Sequence, residues 1–266
     1  VKTVSLTVTG TNDTPTVSAY TETTNVQENV LTGSISLTDV ALVDVDLTDT
    51  HTFVALTNAV TTVVDTNSVG IGAITVSMDV NGNYTLSGAG IEKLGAGESA
   101  TVTFSVQVKD DSATATNTST PATITLTIDG SNDTPTISSD AQTVIEDASA
   151  LLLTTNGTVT VVDVDNNESF VTPQTNVAGL YGTFNIDANG VWTYSADNTQ
   201  SAIQALGETE TLTETFVVTS LDGTATSNVV VTIQGTNDLP ELSVVDAILI
   251  ENTSPITFTF DASDID

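Results

Sequence analysis

The chain has 266 residues, with 34 Asp+Glu against 3 Lys+Arg, one His and no Cys, giving a formal net charge of -31. So little positive charge excludes nucleic-acid and nucleotide binding and attachment to an anionic lipid surface; missing cysteine excludes thiol chemistry and Cys-ligated zinc. Hydrophobic residues reach 39%, enough for packed cores rather than an acidic disordered tail, and the length fits about two domains of ~100–150 residues.

Taken in order, residues 1–9 carry the alternation VSLTV, which predicts a half-buried strand. Nothing there resembles a signal peptide, so a secretion signal is expected outside this chain. Gly10-Thr11-Asn12-Asp13-Thr14-Pro15 then ends the strand. Glu28 follows, then Asp44-Val45-Asp46, then His51 in a segment expected to be a surface loop. Asn81-Gly82 predicts a tight hairpin with positive φ at both residues. One helical turn is expected before Leu94–Glu98, followed by the strand TVTFSVQV, Asp110, a Thr-rich loop and the strand TITLTI.

The same order then returns. Gly130-Ser131-Asn132-Asp133-Thr134-Pro135 is followed by Glu146, Asp163-Val164-Asp165, Asn189-Gly190, the helical turn Ser201–Leu206, Glu210, Asp222 and the strand VVVTI. A third copy opens with Gly235-Thr236-Asn237-Asp238-Leu239-Pro240, continues through Glu251 and stops at Asp264-Ile265-Asp266. Self-similarity at this period marks a tandem array. The expected organisation is the last strand of a preceding repeat in 1–9, complete repeats in 10–129 and 130–235, and the start of another in 236–266. Repeat one is longer between its DxD and its hairpin, and the extra residues read as loop. Short strands with turns every ~8–12 residues predict antiparallel β-sandwiches, with Phe184, Trp192, Tyr194 and Phe216 in the core of repeat two.

The ordered set TNDTP, Glu, DVD, Asn-Gly, LGxxE and late Asp resembles the VCBS repeats of large bacterial surface adhesins, many of the RTX type. It is also similar, more loosely, to the cadherin pattern of acidic linkers. The resemblance implies all-β, tandem Ig-like (cadherin-like) sandwiches with Ca2+ at the junctions between repeats. By that pattern, Asn12, Asp13, Asp44, Asp46 and Asp110 form a first site. Glu28, Glu98, Asn132, Asp133, Asp163, Asp165 and Asp222 form a second, and Glu146, Glu210, Asn237, Asp238, Asp264 and Asp266 a third.

Elementary chemistry supports the metal independently. Ca2+ takes about 6–8 oxygen ligands, and clustered carboxylates repel one another without a cation. The two carboxylates of a DxD converge if the apolar residue between them turns into the core. The competing reading is that the Asn-Asp-Thr-Pro stretches are turns carrying solvated acids. Asp163–Glu168 starts like an EF-hand loop but lacks Gly at the sixth position and Glu at the twelfth. A carboxylate pair suited to glycoside hydrolysis is uninformative in so acidic a chain, and a catalytic site is not normally copied at every repeat. No enzyme is expected.

The functional expectation is an extracellular, calcium-rigidified spacer of a bacterial cell-surface adhesin or fibre. Its partners are neighbouring repeats of the same chain, with no nucleic acid and no membrane insertion in this segment. The alternatives are a binding module whose faces meet glycans, ice or sister chains, or, as a third class, a self-assembling extracellular filament subunit.

Overall fold

The computed structural model describes residues 2–149, 151–244 and 260–266. It divides into two compact units, Val1–Asp133 with Val164–Asn166, and Thr134–Asp163 with Asn167–Asp266.

In the first unit the strands are β1 (Tyr20–Thr21), β2 (Val26–Gln27), β3 (Thr32–Ser34), β4 (Thr52–Phe53), β5 (Leu56–Val60), β6 (Thr62–Asp65), β7 (Thr75–Met78), β8 (Asn83–Ser87), β9 (Ser99–Val106), β10 (Val108–Lys109) and β11 (Ala122–Asp129). One sheet runs β1-β11-β9-β6, with β2 also on β11, and the other runs β3-β8-β7-β5. β4 pairs with β10. β11 buries every second residue, so Ile124, Leu126 and Ile128 enter the core while the threonines between them face outward. A 3-10 turn at Ile91–Lys93 and the buried Leu94 close one end.

The second unit contains β12 (Thr136–Ile137), β13 (Asp140–Ile145), β14 (Leu152–Thr158), β15 (Val161–Val162), β16 (Gln174–Ala178), β17 (Gly182–Ile186), β18 (Val191–Asp197), α1 (Ser201–Gln204), β19 (Thr211–Thr219), β20 (Thr226–Gln234), β21 (Glu241–Val244) and β22 (Phe260–Ser263). Its two larger sheets are β13-β20-β19 and β14-β18-β17-β16, beside the two-stranded pairs β12-β15 and β21-β22. Both units are thus two-sheet β-sandwiches, with one short helical turn each where the sequence predicts it. In each, an early strand lies parallel to the last long strand: β1 and β2 on β11, β13 on β20.

The four aromatic residues expected in the second core are all buried. Phe184 and Phe216 stack with centroids 4.6 Å apart, and Trp192 and Tyr194 pack around them. The Trp192 indole N–H donates to Asp140 Oδ2 at 2.9 Å, so its one polar atom is satisfied.

Three local expectations change. In the Asn-Gly hairpins only Gly82 and Gly190 have positive φ, 89° and 80°; the asparagines stay right-handed. The cause is the preceding aspartate. Asp79 Oδ1 accepts the N–H groups of Asn81 and Asn83, and Asp187 Oδ1 those of Asn189 and Val191. The loop is therefore wound around a carboxylate, with one left-handed glycine at its exit. Next, the extra length of repeat one is not merely loop. It adds the paired strand β6 and buries Val69, Ile71 and Ile74. Finally, residues 2–9 pair with no strand among the described residues, and Val4, Leu6 and Val8 are exposed; alternation specifies a face only when a sheet is there to receive it. The expected repeat start at 236–266 carries the β21–β22 pair, and Glu251 lies outside the described residues.

Phe184 is fully buried against Phe216. Phe184→Ala should cost about 3–5 kcal/mol of stability, measured as a shift of the denaturant midpoint of the second unit. A loss below about 1 kcal/mol would show that the aromatic stack does not anchor this core.

Candidate metal centres

The acidic residues form two kinds of arrangement, and each occurs in both units. The first is a group of three carboxylates. Asp44, Asp49 and Asp110 each offer an oxygen, and these oxygens all lie within 4.8 Å of one another. In the second unit Asp163, Glu168 and Asp222 do the same. In each unit the first two acids sit on the DVD loop, five residues apart, and the third follows the long strand β9–β10 or β19.

Local bonds orient the first group. Asp44 Oδ1 accepts the Asp46 N–H at 3.0 Å. Asp110 Oδ1 accepts the Ser112 N–H at 2.8 Å, and its Oδ2 accepts from Asn12 Nδ2 at 3.2 Å. His51 Nε2 lies 2.8 Å from Asp44 Oδ2. The imidazole therefore flanks the acidic group instead of standing free on a surface loop, and its hydrogen bond holds the Asp44 carboxyl below its usual range. Asp49 moves the other way, raised by desolvation and then by the charges of Asp111 and Asp46. In the second unit Phe170 occupies the position of His51. There Asp222 accepts hydroxyl hydrogen bonds from Ser220 and Thr224, and the Asp163 N–H donates to Ser169 Oγ at 3.0 Å.

The second arrangement ties each Asn-Asp linker to a DxD. Asp13 donates its N–H to Asp46 Oδ2 at 2.7 Å, Asp133 to Asp165 Oδ2 at 2.8 Å, and Asp238 to Asp266 Oδ2 at 3.2 Å. The linker asparagine folds onto the same backbone, since Asn12, Asn132 and Asn237 each donate Nδ2–H to the carbonyl of the following aspartate. A buried glutamate completes this arrangement at two of the linkers. Glu28 is 1% exposed; its Oε1 accepts from Ser131 N–H and Oγ–H at 2.6 and 2.7 Å, while its Oε2 has no hydrogen-bond partner among the described residues. Burial raises the Glu28 carboxyl, with further upward contributions from Asp133 and Asp165. Glu146 is also 1% exposed, bonded to the Thr236 N–H and Gln204 Nε2, and raised by burial, then by Asp147 and Asp238. Asp238 is raised for the same reasons, and its Oδ2 is a second buried acceptor without a partner among the described residues.

Several sequence expectations are redrawn by this geometry. Each DxD does not converge by turning its middle residue inward: Val45, Val164 and Ile265 are 73%, 54% and 55% exposed. The motif instead divides its labour in both units. Its first aspartate joins the three-carboxylate group, and its second receives the linker N–H. Asp264, the first aspartate of the third motif, bonds the N–H of Ile265 through Oδ1. Glu98 and Glu210 join neither three-carboxylate group. Their carboxylates accept from Gly95 and Gly207 N–H at 3.1 and 3.4 Å, closing their own LGxxE turns. Asp49 and Glu168 are the residues that sequence reasoning missed. Their signal was present as a shared spacing, DVDxx followed by Asp or Glu. Asp163–Glu168 sits between strands, not helices, so it is no EF-hand.

Three carboxylates with converging oxygens form a donor set for a hard cation, and each buried glutamate is a further oxygen donor in its own unit. All the donors are oxygen, which suits Ca2+ over zinc or copper. Without a cation the buried glutamates are liabilities. Their raised folded-state pKa means that the stability they contribute is present at acid pH and is lost as pH rises through that raised value. In chelator, Glu28→Gln should therefore raise the melting temperature at pH 7 by a few degrees and leave it nearly unchanged at pH 4. With calcium present, the same variant should gain less from the metal than wild type does. Thermal melts at the two pH values check both signs.

Residues 132–235 match the family model of the bacterial cadherin-like domain. No curated protein matched the chain. Among solved structures it is similar to the protocadherin GammaB4 extracellular domain, at 13% identity over 95% of this chain and 38% of that one, TM-score 0.46. It is similar also to protocadherin gammaB7 EC3-6, at 17% over 95% and 56%, TM-score 0.49. Drosophila N-cadherin EC1-4 aligns at 15% over 96% and 61%, TM-score 0.31. The chain spans less than two thirds of the length of each of these three.

Proposed function

We propose that this chain is a calcium-stiffened spacer from a bacterial cell-surface adhesin or extracellular fibre, built of VCBS-type repeats. The observation that carries the reading is repetition. The same three-acid group, at the same place on the fold, occurs in both units. A catalytic centre needs one copy; a mechanical element needs one in every repeat.

The ligands assigned in the first unit are Asp44, Asp49 and Asp110, supported by Asn12, Asp13 and Asp46, and Glu28 with Asp133 and Asp165. In the second unit they are Asp163, Glu168 and Asp222, and Glu146 with Asp238, Asp264 and Asp266. Bound Ca2+ neutralises carboxylates that otherwise repel, and it ties each Asn-Asp linker to the DxD loop that its backbone already bonds. With a net charge of -31 and no disulfides, the metal takes the part that cross-links take in other secreted domains. The mechanical result is a string of sandwiches with restricted hinges.

Small-angle scattering of the chain in calcium and in chelator tests this reading. The maximum dimension should rise and the distance distribution narrow with calcium; superimposable profiles would refute the spacer. A calcium concentration about 100-fold above Kd should add about 2.7 kcal/mol of stability per site. Asp133→Ala should remove most of that gain. Magnesium should substitute poorly, because it is smaller, demands octahedral geometry and keeps its waters.

A further inference from the structure

The two units differ at one sheet edge, and the difference defines a vacancy. In the first unit β6 pairs antiparallel with β9, with Thr62 opposite Thr103 and Val64 opposite Thr101. β9 and β19 occupy the same place: each pairs antiparallel with the last long strand, and each buries a phenylalanine, Phe104 and Phe216. Their alignment is fixed by equivalent bonds at the strand end, Val54 N–H to Gln107 O and Thr172 N–H to Thr219 O, both 2.9 Å. Thr101 and Thr103 therefore correspond to Thr213 and Thr215. Among the described residues the second unit has no counterpart of β6. Its chain turns from β16 into β17 at residues 179–181, and no described strand pairs with the outer edge of β19.

The orientation of that edge follows from alternation. The Val217 carbonyl accepts from Gln174 Nε2 at 2.9 Å and the Thr219 carbonyl from Thr172, so odd-numbered residues of β19 point their backbone groups away from β20. Thr213 and Thr215 share this orientation, and both are exposed. A groove of about 450 Å³ runs along them, lined by Gln174, Val177, Gly179, Leu180, Thr213 and Thr215 among others. Its floor is prebuilt. Glu214 is 5% exposed; its Oε1 accepts the Leu180 and Tyr181 N–H groups, and its Oε2 accepts the Tyr194 hydroxyl. A Cβ on Gly179 would fall 2.0 Å from Glu214 Oε1, so only glycine lets the turn seat there. The carboxylate is thus already covered and does not guard the edge, and residues 211–217 contain no Lys, Pro or bulge.

We propose that the β19 edge at Thr213 and Thr215 is a strand-acceptor site that takes an extended, uncharged, β-branched segment from a partner, of the Thr-Val-Val kind that β6 supplies to the equivalent edge of the first unit. The match of chemistry is in the groove itself: in a chain of net charge -31 it presents threonine, glutamine and small apolar side chains, and the one acid is buried and satisfied. Main-chain hydrogen bonds supply the affinity, and the alternate side chains that enter the groove supply the selectivity. No metal ligand takes part, so this site stands or falls separately from the calcium reading.

The probe is an end-capped synthetic peptide of residues 59–64, which is uncharged, titrated into the full isotope-labelled chain and followed by amide resonances and hydrogen exchange. The Thr213 and Thr215 amides should shift and become protected, with the flanking amides moving less. A peptide carrying Val64→Pro, which loses the donor opposite Thr213, should bind at least tenfold more weakly, and this control leaves the protein untouched. Unmoved Thr213 and Thr215 amides, or equal binding of the proline peptide, would overturn the site. Shifts of these amides with protein concentration alone, without peptide, would show a second copy to be the occupant and overturn the assignment to a separate partner strand.

Discussion

Like charges held close in a protein must be neutralised, protonated or kept in water. This chain has three basic side chains for 34 acidic ones and still gathers three carboxylates within 4.8 Å of one another in each unit. It also sinks Glu28 and Glu146 to 1% exposure. Backbone and hydroxyl donors offset part of that cost, and under the proposed reading a cation offsets the rest. Everything distinctive about the loops follows from this constraint. The DVD turns, the Asn-Asp linkers and the late aspartates exist in the conformations that bring oxygens together, and the sandwiches behind them are conventional cores that hold the loops still.

The same scaffold tolerates different interiors. Where the first unit has Leu86 and Val102, the second has Tyr194 and Glu214, an apolar pair exchanged for a hydrogen-bonded one. The exchange is possible because Glu214 finds three donors, two of them backbone N–H groups of a turn that glycine alone can bring close. A buried carboxylate is costly when half satisfied and tolerable when fully satisfied.

Much of this was legible in the sequence. Alternation in TITLTI and VVVTI marked the buried strands. The resemblance and the shared order of motifs grouped Asp44 with Asp110 and Asp163 with Asp222, and each pair lies in one three-carboxylate group although its members stand far apart in the chain. What escaped was set by geometry that spacing does not encode. Asp79 and Asp187 change the hairpin type by bonding their own loops. The insertion in repeat one reads as polar loop because its strand is short and half exposed, and only a waiting edge on β9 makes it a strand. Asp49 and Glu168 escaped because Asp and Glu are so frequent here that one more acid carries little information until its neighbours are known in space.

The parallel pairing of an early strand with the last long strand carries a mechanical consequence. When the chain is pulled from its two ends, β13 is drawn one way and its neighbour β20 the other, along their common axis. All six residue pairs between Asp140↔Val229 and Ile145↔Gln234 are loaded together in shear, instead of being peeled one after another. The first unit spreads the same contact over two short patches, Tyr20↔Ile124 to Thr21↔Thr125 and Val26↔Ile128 to Gln27↔Asp129. Under tension it therefore yields first, and the second unit is the stronger link.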